Sequence, residues 1–328
     1  MNRLRSRIVG TGSYLPEKVL TNRDLERIVE TSDEWIVTRT GIRERRVAAP
    51  HEATSDLAYQ AALRALEAAG LRARDLDLIV VATLTPDAPL PATAVYLQHR
   101  LGAKKAAAFD IAAACTGFIY GLAVVDGLVR TGVAKNCLLV GAEVLSRVMN
   151  WEDRGTCIIF GDGAGAAVLV PSHGRSGLLS THLYADGGQA DLLCIPGGGS
   201  RIPASREAIE QKLHCVHMKG NETFKLAVKG MAQAAEAALE ANGVGAADIA
   251  LLVPHQANIR IIEATAQRLH LPLSRVFVNI DRYGNTSGAT IPIALDEAVR
   301  EGRAAAGDLV LLDAFGAGFT WGSALIRW

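Results

Sequence analysis

The chain has 328 residues, 49% of them apolar, and its 34 lysines and arginines balance 34 aspartates and glutamates. That length suits two domains or two halves sharing one core, and a formal net charge of zero excludes a non-specific nucleic-acid binder. Five cysteines, Cys115, Cys137, Cys157, Cys194 and Cys215, are odd in number and show neither a CxxC pair nor metal spacing, so no disulfide framework and no metal site are expected, which suits a reducing cytoplasm.

Residues 1–8 carry charges but no apolar signal-peptide core, and no segment offers about 18 uninterrupted apolar residues, so a soluble, unexported protein with no membrane partner is expected. Gly10-Thr-Gly12 lacks the third glycine of a nucleotide loop and reads as a tight turn. The basic run from Arg39 to Arg46 reads as a solvated face. Residues 67–82 read as a helix end, a glycine stop signal, a short loop and a buried strand. A strand-like run at 109–111 then breaks through three alanines into Cys115, and residues 118–129 are apolar enough for a helix buried on most sides. The thiol therefore falls at a helix N-terminus, where unsatisfied N–H groups and the macrodipole favour the nucleophilic thiolate. Alone, such a cysteine reads more often as part of the core.

Another strand follows at 136–142, then a glycine-rich hairpin at 158–170. Within it Gly161-Asp-Gly-Ala-Gly165 runs into a strand, where a phosphate site needs a helix N-terminus. A linker at 171–177 precedes the second half, in which the pattern repeats: 240–255 reads like 67–82, 307–313 like 136–142, and a second glycine-rich hairpin spans 314–326. His255 ends a buried strand and precedes a helix at 259–269, so it projects from the sheet edge. Asn285 lies between a strand at 276–280 and a helix at 290–301, in a turn of the same kind as that of Cys115. Taken singly, His255 reads equally as a satisfied core histidine and Asn285 as a helix cap. The fold class is α/β, with duplicated halves at 1–172 and 173–328 and mainly parallel sheets covered by helices. Ligands bind such folds beyond the carboxyl ends of the strands, where a pseudo-dyad brings the Cys115 and Asn285 turns together.

Four segments carry a resemblance: Ala-Ala-Ala-Cys-Thr-Gly-Phe at 112–118, Val-Pro-His-Gln-Ala-Asn at 253–258, Gly-Asn-Thr-Ser-Gly at 284–288 and Phe-Gly-Ala-Gly-Phe-Thr-Trp-Gly at 315–322. With them the chain resembles β-ketoacyl-acyl-carrier-protein synthase III, of the thiolase-like superfamily, over essentially its whole length. The order Cys, His, Asn discriminates, since elongating relatives use Cys-His-His and thiolases a second cysteine. The resemblance implies a thiolase-like fold, layered αβαβα, in a cytoplasmic homodimer that needs no cofactor. Its substrates are acyl-CoA and malonyl-acyl-carrier protein. An acyl group passes from CoA to Cys115, and malonyl on the carrier is then decarboxylated and condensed with it, initiating fatty-acid synthesis. A condensing acyltransferase of secondary metabolism is the alternative, and a non-catalytic partner of acyl carrier protein a remoter one.

The chemistry accounts for the residue types. Covalent catalysis splits one hard condensation into two displacements and needs a thiol with an oxyanion hole, assigned by resemblance to the N–H groups of Cys115 and Ala317. Decarboxylation leaves a thioester enolate, which His255 Nε2 and the Asn285 amide would stabilise as neutral donors. Phe315 matches the family's gating aromatic, core packing being the equal alternative. Trp35 and Arg154 match a pair that sandwiches adenine, Thr31 and Arg39 match CoA contacts, and Gly220, Asn221, Phe224, Ala257 and Asn258 match the pantetheine tunnel. Lys225, Arg260 and Gln256 are candidates for docking the acidic carrier, with a solvated face as the alternative. Leu90 takes a position often held by phenylalanine, which reaches across the dimer interface to close the partner's acyl pocket. The long Gly- and Ser-rich loop at 196–213 is expected to be mobile and to cover the tunnel entrance.

Overall fold

A computed structural model describes residues 4–328. The first half runs β1 (Arg5–Tyr14), α1 (Asp33–Thr40), α2 (Thr54–Ala69), β2 (Leu78–Ala82), α3 (Thr93–Leu101), β3 (Ala107–Ile111), α4 (Gly117–Arg130), β4 (Cys137–Glu143) and β5 (Gly163–Ser172). The second runs β6 (Gly177–Ala185), α5 (Gly220–Asn242), β7 (Ile249–Pro254), α6 (Ile259–Arg268), α7 (Thr290–Arg300), β8 (Leu309–Gly316) and β9 (Thr320–Arg327). The strands form one sheet of order β1-β5-β4-β2-β3 and another of order β7-β8-β9-β6.

All five residues of β2, Leu-Ile-Val-Val-Ala, are buried, because alternate side chains serve two different cores. Leu78 and Val80 face the space between the sheets, while Ile79 and Val81 face away from it. The space between the sheets is filled by α4 and α7, through residues such as Phe118, Leu122, Ile291 and Leu295. Enclosing a side chain like Phe118 there contributes roughly 1.5–3 kcal/mol. Helices α2 and α3 cover the outer face of the first sheet, and α5 and α6 that of the second. The result is five layers, αβαβα.

Several expectations change. The sheets are mixed: pairs β2–β3, β2–β4 and β7–β8 are parallel, while β1–β5, β4–β5, β8–β9 and β9–β6 are antiparallel. Each half turns its last strand back on its neighbour, which the helix–strand alternation conceals. Only the second half does so in a tight hairpin, with Gly316 opposite Thr320. In the first half residues 144–162 intervene and hold the short helix Arg154–Cys157. The glycines at 10, 12, 163 and 165 lie inside β1 and β5 and not in turns. A Cβ at Gly12 would meet Ala65 N at 2.4 Å, so the small residue lets α2 lie directly on the strand.

Residues 276–280 form no extended strand. Val276 makes one isolated bridge to Leu252, and Ile280–Tyr283 is already helical. The Gln256 side chain takes the place of a strand neighbour: its amide donates to Phe277 O at 3.1 Å and its carbonyl accepts from Asn279 N at 3.0 Å. Nor is the basic run uniformly solvated. Arg45 is fully buried, donating to Leu20 O, Asn22 Oδ1 and Ile158 O, and burial pushes its pKa down to about 10. The 196–213 segment folds around the short helix Arg206–Glu210, capped by Ser205, and Gly197 N–H donates to Leu213 O at 2.7 Å.

Candidate active site

Cys115 lies in a 3-10 turn, Ala114–Thr116, that runs straight into α4. Ahead of it Ala114 has φ 46°, a left-handed conformation that costs a residue with a Cβ of order 1 kcal/mol or more. The other half repeats this construction at Ser287, with φ 49°, in the turn Ser287–Ala289 that runs into α7. Aligning the two left-handed residues makes Gly288 the counterpart of Cys115 and Ala112 that of Asn285. The duplicated turns thus carry the thiol and the amide three positions apart.

His255 follows the last residue of β7, and its N–H donates to Asp313 O at 2.7 Å. Its Nδ1 lies 2.6 Å from Thr290 Oγ1 at the start of α7. Burial pushes its pKa down to about 3, so the ring is neutral near neutral pH. Asn285 is anchored through its backbone, its N–H donating to Ile159 O and its carbonyl accepting from Gly161 N. Its side-chain oxygen accepts from Ser287 N–H at 2.7 Å, which leaves the NH2 group as the free end.

Cys115, His255 and Asn285 line one cavity of about 650 Å³. A second, of about 260 Å³, shares Cys115, Phe160 and Leu193 with it and is otherwise lined mainly by apolar residues including Leu84, Leu145, Ile195 and Val216. Two chambers therefore meet at the thiol. The turn of the β8–β9 hairpin backs onto it: a Cβ at Gly316 would lie 2.7 Å from Cys115 N, and Ala317 lines the smaller chamber.

Burial opposes the thiolate expectation. Burial pushes the Cys115 thiol up to about 12, the nearby Glu143 adds to the rise, and Ser287 opposes it. Burial thus favours the neutral thiol and works against the pull of the helix end. Glu143 is itself fully buried; it accepts from the hydroxyls of Thr83 and Thr85 and the N–H groups of Leu84 and Thr85, and burial pushes it up to about 7.

A family model for 3-oxoacyl-[acyl-carrier-protein] synthase III matches residues 109–187, and that for its C-terminal part matches 239–328. The chain is 56% identical to the β-ketoacyl-[acyl-carrier-protein] synthase III of Desulfitobacterium hafniense over 98% of its length and 97% of the relative's. The chain belongs to the β-ketoacyl-[acyl-carrier-protein] synthase III family. The synthase III of a Roseiflexus species is 57% identical over 98% of both chains. The crystal structure of the Aquifex aeolicus synthase III superposes with a TM-score of 0.92 at 50% identity, covering 98% of this chain and 100% of that one. The protein is accordingly a condensing acyltransferase of fatty-acid biosynthesis, and its five layers are the thiolase-like fold. Among the described residues no helix is long and apolar enough to cross a membrane, and no group of three or more His, Cys, Asp or Glu could hold a metal.

Within this synthase III the other sequence candidates divide. Trp35, Arg39, Arg154, Gly220, Asn221, Phe224, Lys225, Ala257, Asn258, Arg260 and Phe315 all line the larger cavity. The guanidinium carbons of Arg39 and Arg154 lie 4.4 and 4.6 Å from the Trp35 ring centre. Arg154 thus rests on the indole. Asn258 caps α6 by accepting from Arg260 N and donates to Arg39 O, tying α6 to α1. Phe315 packs against Phe319 at 4.7 Å between ring centres.

Three candidates fall outside. Gln256 is buried and spends its amide on Pro254, Phe277 and Asn279, so it is structural and has no surface to offer a carrier. Thr31 and Leu90 line neither chamber, and Leu90 is 84% exposed. None of residues 196–213 lines a chamber, whose wall comes instead from Leu193 and Met218 on the ribbon Leu193–Cys194 with His217–Met218. Sequence reasoning missed Glu143 and Thr290, although an acid closing an apolar strand and a threonine opening a helix were both visible. The apolar lining of the smaller chamber left no such signal, since it is drawn from separate segments with no common period.

Proposed function

We propose that Cys115 takes an acyl group from acyl-CoA, and that His255 and Asn285 then drive decarboxylation of malonyl-acyl-carrier protein and its condensation with that group. The observation that carries the reading is the meeting of two chambers at one thiol, with the His255 ring and the Asn285 amide on the wall of the larger. The larger chamber admits the pantetheine arm, and the smaller receives the acyl chain. In the first half-reaction the Cys115 sulfur attacks the thioester carbonyl and CoA leaves as its thiol, the cysteine proton ending on the CoA sulfur. The N–H groups of Cys115 and Ala317 hold the oxyanion of the intermediate.

Malonyl-acyl-carrier protein then enters by the same chamber. Loss of CO2 leaves an enolate oxygen, to which His255 Nε2 and Asn285 Nδ2 donate without becoming charged. The enolate carbon attacks the acyl thioester, the Cys115 thiolate leaves as β-ketoacyl-acyl-carrier protein departs, and the thiolate takes one proton from solvent. No cofactor is assigned a step. Trp35, Arg39 and Arg154 receive the adenine end, and Lys225 and Arg260, exposed at the chamber mouth, face the acidic carrier.

A homodimer fits the first sheet, whose β3 leaves one edge unpaired and exposes Phe109, with Leu90, Val95 and Tyr96 exposed on and before the adjoining α3. The substrates and five free cysteines fit a cytoplasmic enzyme. Intact-protein mass spectrometry after incubation with a panel of acyl-CoAs tests the reading. One acyl mass should appear on the wild type and none on Cys115→Ser, and acylation of that variant to the same extent would overturn the assignment.

A further inference from the structure

We infer that Thr290 is the positioning residue that fixes the tautomer of His255, its hydroxyl donating to Nδ1 so that the ring proton sits on Nε2 toward the cavity. The inference rests on the reading of His255 as an enolate donor and extends it to a residue outside the cavity wall.

The Thr290 oxygen is 2.6 Å from Nδ1 and 3.0 Å from the carbonyl of Ser287. A hydroxyl has one proton to give, and the two acceptors compete for it. Donation to Ser287 would force Nδ1 to carry the ring proton and leave Nε2 a bare lone pair, unable to stabilise an enolate. The Ser287 carbonyl, however, already accepts from the backbone N–H of Thr290. Nδ1 has no other hydrogen-bond partner among the described residues. The 2.6 Å contact to Nδ1 is shorter than the roughly 2.7–3.2 Å of an N–H donor and lies within the roughly 2.5–3.0 Å of an O–H donor, so the hydroxyl gives its proton to Nδ1.

A consequence follows for the first half-reaction. With its proton on Nε2 the ring offers no lone pair to the thiol of Cys115, so His255 is no base for acylation. One threonine hydroxyl thereby dedicates the histidine to the second half-reaction. Gly117, which opens α4 at the corresponding place in the other half, has no side chain to do this.

The test combines nitrogen-15 NMR of protein labelled in its histidine rings with kinetics of Thr290→Val and Thr290→Ser. His255→Gln identifies the His255 signals among the eight histidines. The wild type and Thr290→Ser should show an unprotonated Nδ1 and a protonated Nε2. In Thr290→Val the ring proton should spread over both nitrogens, and malonyl decarboxylation should fall about tenfold, the size of one lost hydrogen bond. Cys115 acylation should stay near the wild-type rate, and Thr290→Ser should restore decarboxylation. A protonated Nδ1 in the wild type would overturn the inference, as would parallel losses of acylation and decarboxylation in Thr290→Val. If Thr290→Val does not fold, the wild-type spectrum decides alone. Decarboxylation by His255→Gln reports separately on the role of the histidine, so failure of that reading is distinguishable from failure of this one.

Discussion

The Asn285 amide is free to donate because Ser287 N–H occupies its oxygen, and His255 is neutral because burial strips it of its second proton. On the proposed mechanism both donors address charge that appears only on decarboxylation, where removing one donor of this kind costs about 10²- to 10³-fold. Asn285→Ala and His255→Ala are expected to slow release of CO2 from malonyl-acyl-carrier protein by about that factor, while acylation of Cys115 remains close to wild type. Equal losses in the two assays would show that the roles are not divided. The thiol makes a second case. With its pKa pushed up to about 12, its thiolate fraction rises about tenfold per pH unit through the neutral range. Iodoacetamide alkylation of Cys115 should climb log-linearly from about pH 6 to 9 without levelling. A plateau near neutrality would mean that the helix end overcomes burial after all. That these three residues would share one cavity was legible in the sequence, since each sits where a periodic pattern breaks. The sign of the thiol's shift was not: a helix N-terminus is local, whereas desolvation is imposed by Phe160, Leu193 and other residues brought in from distant segments.

Helix α6 shows how an element reaches the site. Asn258 caps it, Ile261 and Ile262 bury one face, and Arg260 on the open side stands 5.6 Å over the Phe224 ring. An exposed cation contributes little to stability but steers an acidic partner. Arg260→Glu should raise KM for malonyl-acyl-carrier protein about 5- to 10-fold, more at low salt, since reversal replaces an attraction with a repulsion. Transfer from acyl-CoA should be nearly unchanged, and equal damage to both substrates would make Arg260 a CoA contact. The helix itself was readable from its apolar spacing, as were the stops of α2 and α5 at Gly70 and Gly243, both left-handed. The strand expected at 276–280 was not readable as an exception. Its apolar run Val276-Phe277-Val278 is what a buried strand would show, and only the folded position of the Gln256 side chain reveals that ladder bonds are taken by an amide.

The duplication was visible in sequence as two copies of one helix–loop–strand phrase, and it does organise the molecule: α4 and α7 lie side by side between the sheets and deliver their leading turns to one place. The far wall of the smaller chamber, proposed to hold the acyl chain, would come from a second subunit. Leu90 is 84% exposed here and lies just before α3, with Val95, Tyr96 and, on the edge strand β3, Phe109 also exposed. In a dimer joined at that edge, residue 90 of one subunit would close the other's chamber. That chamber, at about 260 Å³, exceeds the roughly 150 Å³ that encloses a benzene molecule, so it has room well beyond an acetyl group. A leucine is shorter than a phenylalanine ring and more flexible, and each methylene that fits an apolar pocket is worth about 1–3 kcal/mol. The wild type is therefore expected to turn over butyryl-CoA or longer primers, and Leu90→Phe to narrow the range toward acetyl-CoA. The check is kcat/KM for acetyl-, butyryl- and octanoyl-CoA in both proteins, with light scattering to show that each is the same oligomer. An acetyl-only wild type, or a mutant with an unchanged profile, would show that the chamber is limited by its own wall, at Leu84, Leu145 or Val216, and not by the neighbouring subunit.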